Sequence, residues 1–324
     1  MRQARIKVDA AVGEAVYHCM SRTVNGERLF DDLAKEVLRK QLWLVAEFCG
    51  LEIVTYAIMS NHFHVLVRVP KAVNITDEEL LRRFVVLHPK PTKYQSARLE
   101  VIKSQLASDG PEAVAWRGRQ LALMGDVSGF MRLLKQRFSV WFNKTHDRFG
   151  TLWSERFKSV LVEPQGSALR TMAAYIDLNA VRAGLVTDPK DYRFCGYGEA
   201  VAGNVRAQQG IASVGNFKIW SKAQSAYRLI LFGTGSSQRE AAKTISPDQF
   251  QQVLKQKGQL PLATMLRMRI RYFSDGAVLG SHAFVAQHLH RGGHRRTREA
   301  KLMPPVANWG DLATLRGLRK QAFG

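Results

Sequence analysis

The most regular pattern of apolar positions lies in residues 51–70, LEIVTYAIMSNHFHVLVRVP. β-Branched and aromatic residues predominate on both sides of a polar turn at Met59, Ser60 and Asn61, so we predict two strands, Leu51–Ile58 and Phe63–Val69. An earlier stretch, EAVYHCMSRTV, alternates Ala15, Tyr17, Cys19 and Ser21 with Val16, His18, Met20 and Arg22. Because side chains on a strand alternate between its two faces, this pattern predicts a further strand over Glu14–Val24.

Helical spacing of apolar residues replaces this alternation in other parts of the chain. It predicts helices over Asp31–Phe48, Val127–Asn143, Ser167–Ala183 and Trp220–Phe232. The first helix begins at an acidic pair, Asp31 and Asp32, which suits the N-terminus of a helix dipole. The third lies between Pro164 and Gly184, the order in which these residues commonly flank a helix.

A fourth strand is predicted over Thr151–Val162, TLWSERFKSVLV, and completes an order of β, α, β, β, helical segment, β, α. One helix runs between the first two strands, and a hairpin follows directly. This order suggests a ferredoxin-like antiparallel sheet backed by helices, an α+β palm. We assign residues 1–195 to this palm.

Residues 74–123 do not fit that order and are predicted to be a helical insertion or lid. Thr76 precedes three acidic residues and suits the cap of a first helix, whereas Pro89 and Pro91 break the helical pattern soon afterwards. A charged, helix-prone stretch then continues to Leu123.

The chain changes character after Tyr192. Gly- and Ala-containing stretches from Gly196 to Gly215 read as loops, so we predict that residues 196–236 are a connecting segment that ends in the helix at Trp220. Residues 237–324 are basic and include helix-prone stretches at Gln238–Leu260 and Leu262–Arg271. We predict that they form a C-terminal helical extension, a small accessory domain.

Charge restricts the partners of the chain. The 324 residues include 48 Lys and Arg against 27 Asp and Glu, a net charge of +21, and the basic residues recur throughout. A polyanion is therefore expected, and nucleic acid is the first candidate. We expect no membrane association, because no apolar run approaches the ~20 residues that span a bilayer and no signal or acylation motif opens the chain. A cytoplasmic, nucleoid-associated location is expected.

The three cysteines are Cys19, Cys49 and Cys195. They are odd in number and lack the C-x-x-C spacing, so neither a zinc site nor a disulfide is predicted.

His62 and His64 are the first candidates for site chemistry. Positions two apart on a strand project to the same face, so both imidazoles point to one side while Phe63 and Val65 point to the other. Such a pair can ligate a metal ion. The second interpretation is that each histidine is buried in the core with its own hydrogen-bond partners, since H-x-H alone is a weak pattern.

Downstream polar and aromatic residues supply further candidates. Trp153, Arg156 and Lys158 suit a nucleic-acid groove, in which a ring stacks on a base and cations neutralise phosphates; alternatively Trp153 is a core residue. In AAYIDLNAVRAGLV, Tyr175 and Asn179 are four residues apart, so a helix places them on one face, with Arg182 close to it. From the residues alone, the favoured interpretation of Tyr175 is a helix tyrosine that packs against the sheet.

Three ordered blocks, YAIMSNHFHVLV, TLWSERFKS and YIDLNAVRAGLV, resemble the single-tyrosine HUH transposases, and within them the branch called REP-associated tyrosine transposases. The resemblance covers roughly Ala15–Tyr192. It departs from the family pattern at Ser60 and Ala180, where proline is common; neither position carries a reactive group.

The resemblance implies a ferredoxin-like palm that acts on single-stranded DNA beside hairpins of a repetitive palindromic element, as a monomer or homodimer. It implies that His62, His64 and Asn179 hold a divalent metal, Mg or Mn, and that Tyr175 is the nucleophile. Arg156, Lys158 and Arg182 suit phosphate contacts, because arginine stays charged and forks onto phosphate. The expected activity is metal-dependent nicking and rejoining through a 5′-phosphotyrosine.

Two other functions remain open at this point. One is a DNA-binding regulatory protein that keeps the palm but does not cleave; the presence of His62, His64 and Tyr175 argues against it. The other is RNA binding on the sheet, but the strands lack the paired aromatic residues typical of that module.

Overall fold

The structure is a computed structural model, and it describes residues 6–9, 13–71, 74–232, 273, 277–288, 301–302 and 312–314. Its strands are β1 (Ala15–Arg22), β2 (Glu52–Ile58), β3 (His62–Val69), β4 (Lys158–Val162), β5 (Val278–Ser281), β6 (Lys301–Leu302) and β7 (Leu312–Thr314). Its helices are α1 (Asp32–Cys49), α2 (Asp77–Val86), α3 (Lys93–Ser108), α4 (Pro111–Leu121), α5 (Val127–Thr145), α6 (Gly166–Asp177), α7 (Asn179–Arg182), α8 (Gly196–Val201), α9 (Val205–Val214), α10 (Trp220–Phe232) and α11 (His282–Gln287).

The first four strands form an antiparallel sheet in the order β2-β3-β1-β4. This order, with α1 between β1 and β2 and α6 after β4, is that of a ferredoxin-like palm. The central strands are buried on both faces: Cys19, Val65 and Val67 on one face, and Val16 and Leu66 on the other, are fully buried. The predicted α+β ferredoxin-like fold is thereby confirmed.

Local sequence explains where the palm helices begin. The Asp31 carboxylate accepts a hydrogen bond from the backbone N–H of Ala34 at 2.7 Å and caps α1. Asp126 caps α5 in the same way through the N–H of Gly129, at 2.8 Å. Helix α1 ends at Gly50, which adopts the left-handed conformation that a side chain disfavours. Both helices therefore lie within two residues of their predicted bounds.

The fourth strand is shorter than predicted, because it begins at Lys158 and not at Thr151. Lys158, the first residue of β4, pairs with Met20, and β1 ends two residues beyond Met20 at Arg22. Before Lys158 the register shifts by two residues, because the next bridge joins Trp153 to Thr23. The N–H of Ser154 donates to the carbonyl of Arg22, and that of Val24 donates to the carbonyl of Leu152. This shift interrupts the regular pairing that the predicted strand would need.

The insertion predicted at residues 74–123 is helical. Helices α2, α3 and α4 bury a small apolar cluster of their own, separate from the main core. Thr76 caps α2 through the N–H of Glu79, as predicted. The guanidinium of Arg117 on α4 bonds both carboxylate oxygens of Asp77, which ties the ends of this unit together.

The helix predicted over Ser167–Ala183 is divided. Helix α6 ends at Asp177, Leu178 leaves the helical conformation with ψ near 1°, and the four-residue α7 follows. The Asn179 side chain donates to the carbonyl of Ile176 at 3.0 Å, so it satisfies a carbonyl that the end of α6 leaves without a helical partner.

The loops predicted between Gly196 and Gly215 are instead helices α8 and α9, so this expectation was wrong. Their glycines serve close packing: a Cβ on Gly210 would lie 2.6 Å from the carbonyl oxygen of Val54 and also meet that of Ile53. Without a side chain at Gly210, α9 approaches the backbone of β2 directly. The glycine content of residues 196–215 suggested turns, but Gly210 instead allows close contact between helix α9 and strand β2.

Gly210→Ala is expected to lower the free energy of unfolding by about 1–3 kcal/mol, because the methyl group clashes with rigid backbone atoms of β2. Urea denaturation measures this change. Gly118→Ala is the matched control: Gly118 lies in α4 with open space around a Cβ, so alanine should stabilise by about 0.5–1 kcal/mol. Equal effects at both sites would contradict the close packing of α9.

The described residues of the C-terminal region include helix α11 but also three strands that extend the sheet, so they are not helical alone. The separate accessory domain predicted for residues 237–324 stays a prediction. Strand β5 pairs in parallel with β4, and β7 and β6 follow it. The Glu163 carboxylate accepts from both the N–H and the hydroxyl of Ser281 and joins β5 to the end of β4. The helices predicted at Gln238–Leu260 and Leu262–Arg271 lie outside the described residues.

Within the described residues, no helix combines the length and apolar character that crossing a membrane requires.

Candidate active site

Three histidines share one face of the sheet. His62 and His64 alternate along β3, and β1 places His18 diagonally across from His64, whose direct partner is Met20. The His18 and His64 rings stack with centroids 5.0 Å apart, and the His62 ring stands nearly perpendicular to that of His64 at 5.1 Å. The strand alternation that paired His62 with His64 thus also brings in His18.

The His18 side chain bridges His64 and the C-terminal region. Its Nδ1 lies 2.7 Å from the carbonyl oxygen of Phe273, and its Nε2 lies 2.8 Å from Nδ1 of His64. Both imidazoles are almost fully buried. Burial lowers the pKa of His18 to about 4 and holds the pKa of His64 well below its usual range, with the neighbouring His18, His62 and Arg182 adding to the effect at His64. Both rings are therefore neutral near pH 7.

His62 is held from the turn that precedes it. Its Nδ1 lies 2.7 Å from Oδ1 of Asn61. The amide of Asn61 is oriented by its own donor, because Nδ2 bonds the carbonyl oxygen of Gly26 at 2.9 Å. The acceptor oxygen of Asn61 therefore faces His62.

Tyr175 lies beside the histidines. Helix α6 packs against the sheet and places the Tyr175 ring 6.3 Å from that of His64 and 6.4 Å from that of His18, centroid to centroid. The Phe273 ring covers it edge-on at 4.8 Å, and Tyr175 is only 3% exposed. The structure therefore brings the predicted nucleophile and the predicted metal pair together in one buried site.

Arg182 contacts both the ring and the backbone of Tyr175. Its guanidinium carbon is 4.1 Å from the centroid of the Tyr175 ring, and Nη2 donates to the carbonyl oxygen of Tyr175. A cation at this distance from an aromatic face is attracted to the ring and would stabilise negative charge on its oxygen. Arg182 thus belongs to the site through Tyr175; its contact with phosphate stays a prediction.

Asn179 has a different setting from the histidines. Its Nδ2 donates to the carbonyls of Tyr175 and Ile176, at 3.3 and 3.0 Å. This arrangement leaves the amide oxygen Oδ1 as its acceptor group. The structure places Asn179 next to the backbone of Tyr175, and its role as a metal ligand stays a prediction.

The three residues predicted to line a DNA groove are in unlike positions. Trp153 is buried among the aromatic rings of Phe30, Phe63 and Phe138, and its indole N–H donates to Ser139, so its setting is that of the core alternative. Arg156 is exposed, and Lys158 is half-buried at the start of β4.

His62, His64 and Asn179 are the residues that would hold a divalent metal. In the part of the chain that the structure describes, no group of three or more His, Cys, Asp and Glu side chains is placed to hold a metal ion. His62 and His64 nonetheless lie on one face of β3 with ring centroids 5.1 Å apart, and two imidazole nitrogens together with the amide oxygen predicted from Asn179 are ligand types that divalent metals accept. The residues therefore fit the divalent metal that the resemblance implies, and His62 and His64 would be its nitrogen ligands.

A buried carboxylate anchors the helix that carries Tyr175. Asp177, fully buried, accepts hydrogen bonds from the hydroxyls of Thr55 and Tyr227, at 2.8 and 2.6 Å, and from the N–H of Tyr197. Burial raises the pKa of Asp177 to about 6, and these donors oppose that rise. Strand β2 and helices α8 and α10 thus fix the end of α6.

Sequence reasoning missed His18 and Phe273. The alternation in β1 already grouped His18 with Val16, Met20 and Arg22, and a histidine between the apolar residues Val16 and Met20 was a usable signal. Phe273 carried no signal, because its part in the site is a main-chain carbonyl and an aromatic edge from a distant segment.

Comparisons with known proteins agree with the sequence motifs. The family model described as "Transposase IS200 like" matches residues 11–78, which include β1, α1, β2 and β3 with all three histidines. None of the curated proteins matches the chain. A similar solved structure is titled "Structure of the REP associates tyrosine transposase bound to a REP hairpin"; it is 13% identical, has a TM-score of 0.37, and the match covers 63% of this chain and 86% of that one. Residues 11–78 thus match the IS200-like transposase family, which supports a role in transposition and confirms the resemblance seen in the sequence.

Proposed function

We propose that this protein is a DNA transposase that nicks and rejoins single-stranded DNA beside a hairpin, with Tyr175 as nucleophile and a divalent metal at His62 and His64. One observation carries the proposal: the Tyr175 ring from α6 lies 6.3 Å from the His64 ring on β3. A tyrosine and an H-x-H pair that are distant in sequence share one site, as covalent attack on a metal-bound phosphodiester requires.

In the proposed reaction the hydroxyl oxygen of Tyr175 forms a bond to phosphorus, and the bond from phosphorus to the 3′ oxygen breaks. The phenol gives up its proton, and the leaving 3′ oxygen gains one. Arg182, stacked on the ring, stabilises the developing phenolate. The products are a 5′-phosphotyrosine and a free 3′-hydroxyl, and reversal with another 3′-hydroxyl joins a new strand.

A divalent metal, Mg or Mn, would be held by Nε2 of His62 and His64, with Asn179 as third ligand, and would polarise the scissile phosphate. Asn61 orients one of these histidines, because its Oδ1 lies 2.7 Å from Nδ1 of His62. We assign phosphate contacts to Arg156, Lys158 and Arg182, in keeping with the net charge of +21.

The test is incubation with single-stranded hairpin oligonucleotides drawn from repeats that flank the gene, labelled at the 5′ or the 3′ end, with Mg²⁺ or Mn²⁺. We expect a denaturant-resistant protein–DNA adduct that retains only the 3′ label, and a released fragment with a 3′-hydroxyl. With a chelator present, neither the adduct nor the released fragment should form. An adduct that retains the 5′ label, or one that forms equally with chelator, would contradict the proposal.

A second candidate is a DNA-binding regulator that does not cleave. The observation in its favour is the burial of Tyr175, whose ring is covered by Phe273 and Arg182, so DNA reaches the hydroxyl only after these side chains move. Tight hairpin binding without an adduct in the same experiment would support this candidate.

A further inference from the structure

His18 lies outside the residues given a role in the proposed reaction, yet it contacts the metal pair directly. It is a buried histidine with both ring nitrogens engaged: one with the carbonyl oxygen of Phe273 and the other with His64. A neutral imidazole has one N–H donor and one acceptor nitrogen, so these two partners determine which nitrogen carries the proton.

The carbonyl oxygen of Phe273 determines which ring nitrogens of His18 and His64 carry a proton. A carbonyl oxygen only accepts, so Nδ1 of His18 carries the hydrogen and donates it across 2.7 Å. Nε2 of neutral His18 is then the acceptor, and Nδ1 of His64 donates to it across 2.8 Å. The remaining nitrogen of neutral His64, Nε2, carries the lone pair. The opposite tautomer of His64 would bring two acceptor nitrogens face to face.

His62 reaches the same state by a separate route. Asn61 presents its oxygen to Nδ1 of His62, since the amide nitrogen is occupied by the carbonyl of Gly26. Nδ1 therefore donates, and in neutral His62 the lone pair lies on Nε2. Both histidines of the pair are thus prepared with the same nitrogen unprotonated, one by a neighbouring amide and the other through His18.

We propose that His18, oriented by the main-chain carbonyl of Phe273, is a positioning residue that keeps His64 in the tautomer with Nε2 unprotonated, ready for the metal. This inference rests on the proposed function, because it takes the metal as the ligand of His64. It also gives the C-terminal region a role: Phe273 supplies the carbonyl that orients His18 and the ring that packs on Tyr175.

The first measurement is two-bond ¹H–¹⁵N correlation spectroscopy of the histidine rings in the full-length protein with metal removed. We expect a protonated Nδ1 and an unprotonated Nε2 for His64. In His18→Phe, which removes both hydrogen bonds, we expect His64 to populate the other tautomer. His18→Gln should retain the wild-type pattern, because its amide offers one donor and one acceptor as the imidazole does.

The second measurement is the affinity for Mn²⁺ alone, by titration calorimetry without DNA. His18→Phe is expected to weaken binding by about 10–100-fold, the usual cost of losing the group that orients a metal-binding histidine. His18→Gln should bind much more tightly than His18→Phe. His146→Gln is the matched control and should be unchanged, since Nδ1 of His146 also lies within 3.0 Å of a carbonyl oxygen, that of Phe142, but outside the site.

The outcomes separate the inference from the proposed function. A protonated Nε2 of His64 in the wild type, or unchanged tautomer and Mn²⁺ affinity in a folded His18→Phe, would overturn the inference. The expected tautomers without Mn²⁺ binding in any variant would support the role of His18 and overturn the metal in the proposed function. If His18→Phe does not fold, His18→Asn replaces it, because its shorter amide cannot reach both partners.

Discussion

Tyr175→Phe is expected to abolish the covalent DNA adduct while the protein stays folded. Phenylalanine keeps the ring that packs edge-on against Phe273 and beneath the guanidinium of Arg182, and it loses only the oxygen that forms the bond to phosphorus. Removal of a nucleophile in covalent enzymes lowers turnover by as much as ~10⁶-fold, so no adduct should be detectable. Denaturing gels with 3′-labelled hairpin DNA measure it, and hairpin binding should remain.

Tyr227→Phe is the control for this experiment. It removes a different buried hydroxyl, the one that donates to Asp177 two residues beyond the proposed nucleophile. The loss of a hydrogen bond to a buried carboxylate should cost about 1–3 kcal/mol of stability, but the adduct should still form. An adduct in Tyr175→Phe, or its loss in a folded Tyr227→Phe, would mean that another residue is the nucleophile.

The palm was predictable because its signals are local and repeated. Alternation over β2 and β3, the cap at Asp31 and the helical spacing of α1 all agree, and the predicted bounds lie close to the observed ones. His62 and His64 were found by the same rule, since residues two apart on a strand share a face. The same rule, applied across two strands, would have added His18 once the register of β1 against β3 was known.

The remaining elements depend on contacts that a single sequence does not display. Gly210 was interpreted as part of a loop, because glycine is common both in turns and at places where a helix packs closely on another backbone. The sequence alone does not show which of the two applies, and in the structure Gly210 lets α9 approach the backbone of β2. The break at Leu178 followed from the packing of α6, whose end is tied to Asp177 partners on three other elements. Phe273 contributes its main-chain carbonyl to the site. Every residue has such a carbonyl, so the residue type at position 273 does not predict this contact.

Glu199→Ala is expected to lower the free energy of unfolding by about 3–5 kcal/mol. The Glu199 carboxylate is buried on α8 and accepts from the indole N–H of Trp43 at 3.0 Å and from the Tyr56 hydroxyl at 2.5 Å, with Arg39 as its charged partner. Alanine leaves the indole N–H of Trp43 and the hydroxyl of Tyr56 buried without their acceptor, and each buried donor without a partner costs about 1–3 kcal/mol. Arg39 keeps its ion pair with Glu36 but loses this second carboxylate.

Glu36→Ala is the matched control, because Glu36 also holds Arg39 through a bidentate ion pair but is more exposed, and its loss should cost only about 1 kcal/mol. Urea denaturation followed by tryptophan fluorescence compares the two. The partners of Glu199 lie on α1 and β2, so a large loss in one cooperative transition would show that α8 and its neighbours fold with the palm. A small loss, or a separate early transition for Glu199→Ala, would instead support the connecting segment first predicted for residues 196–236.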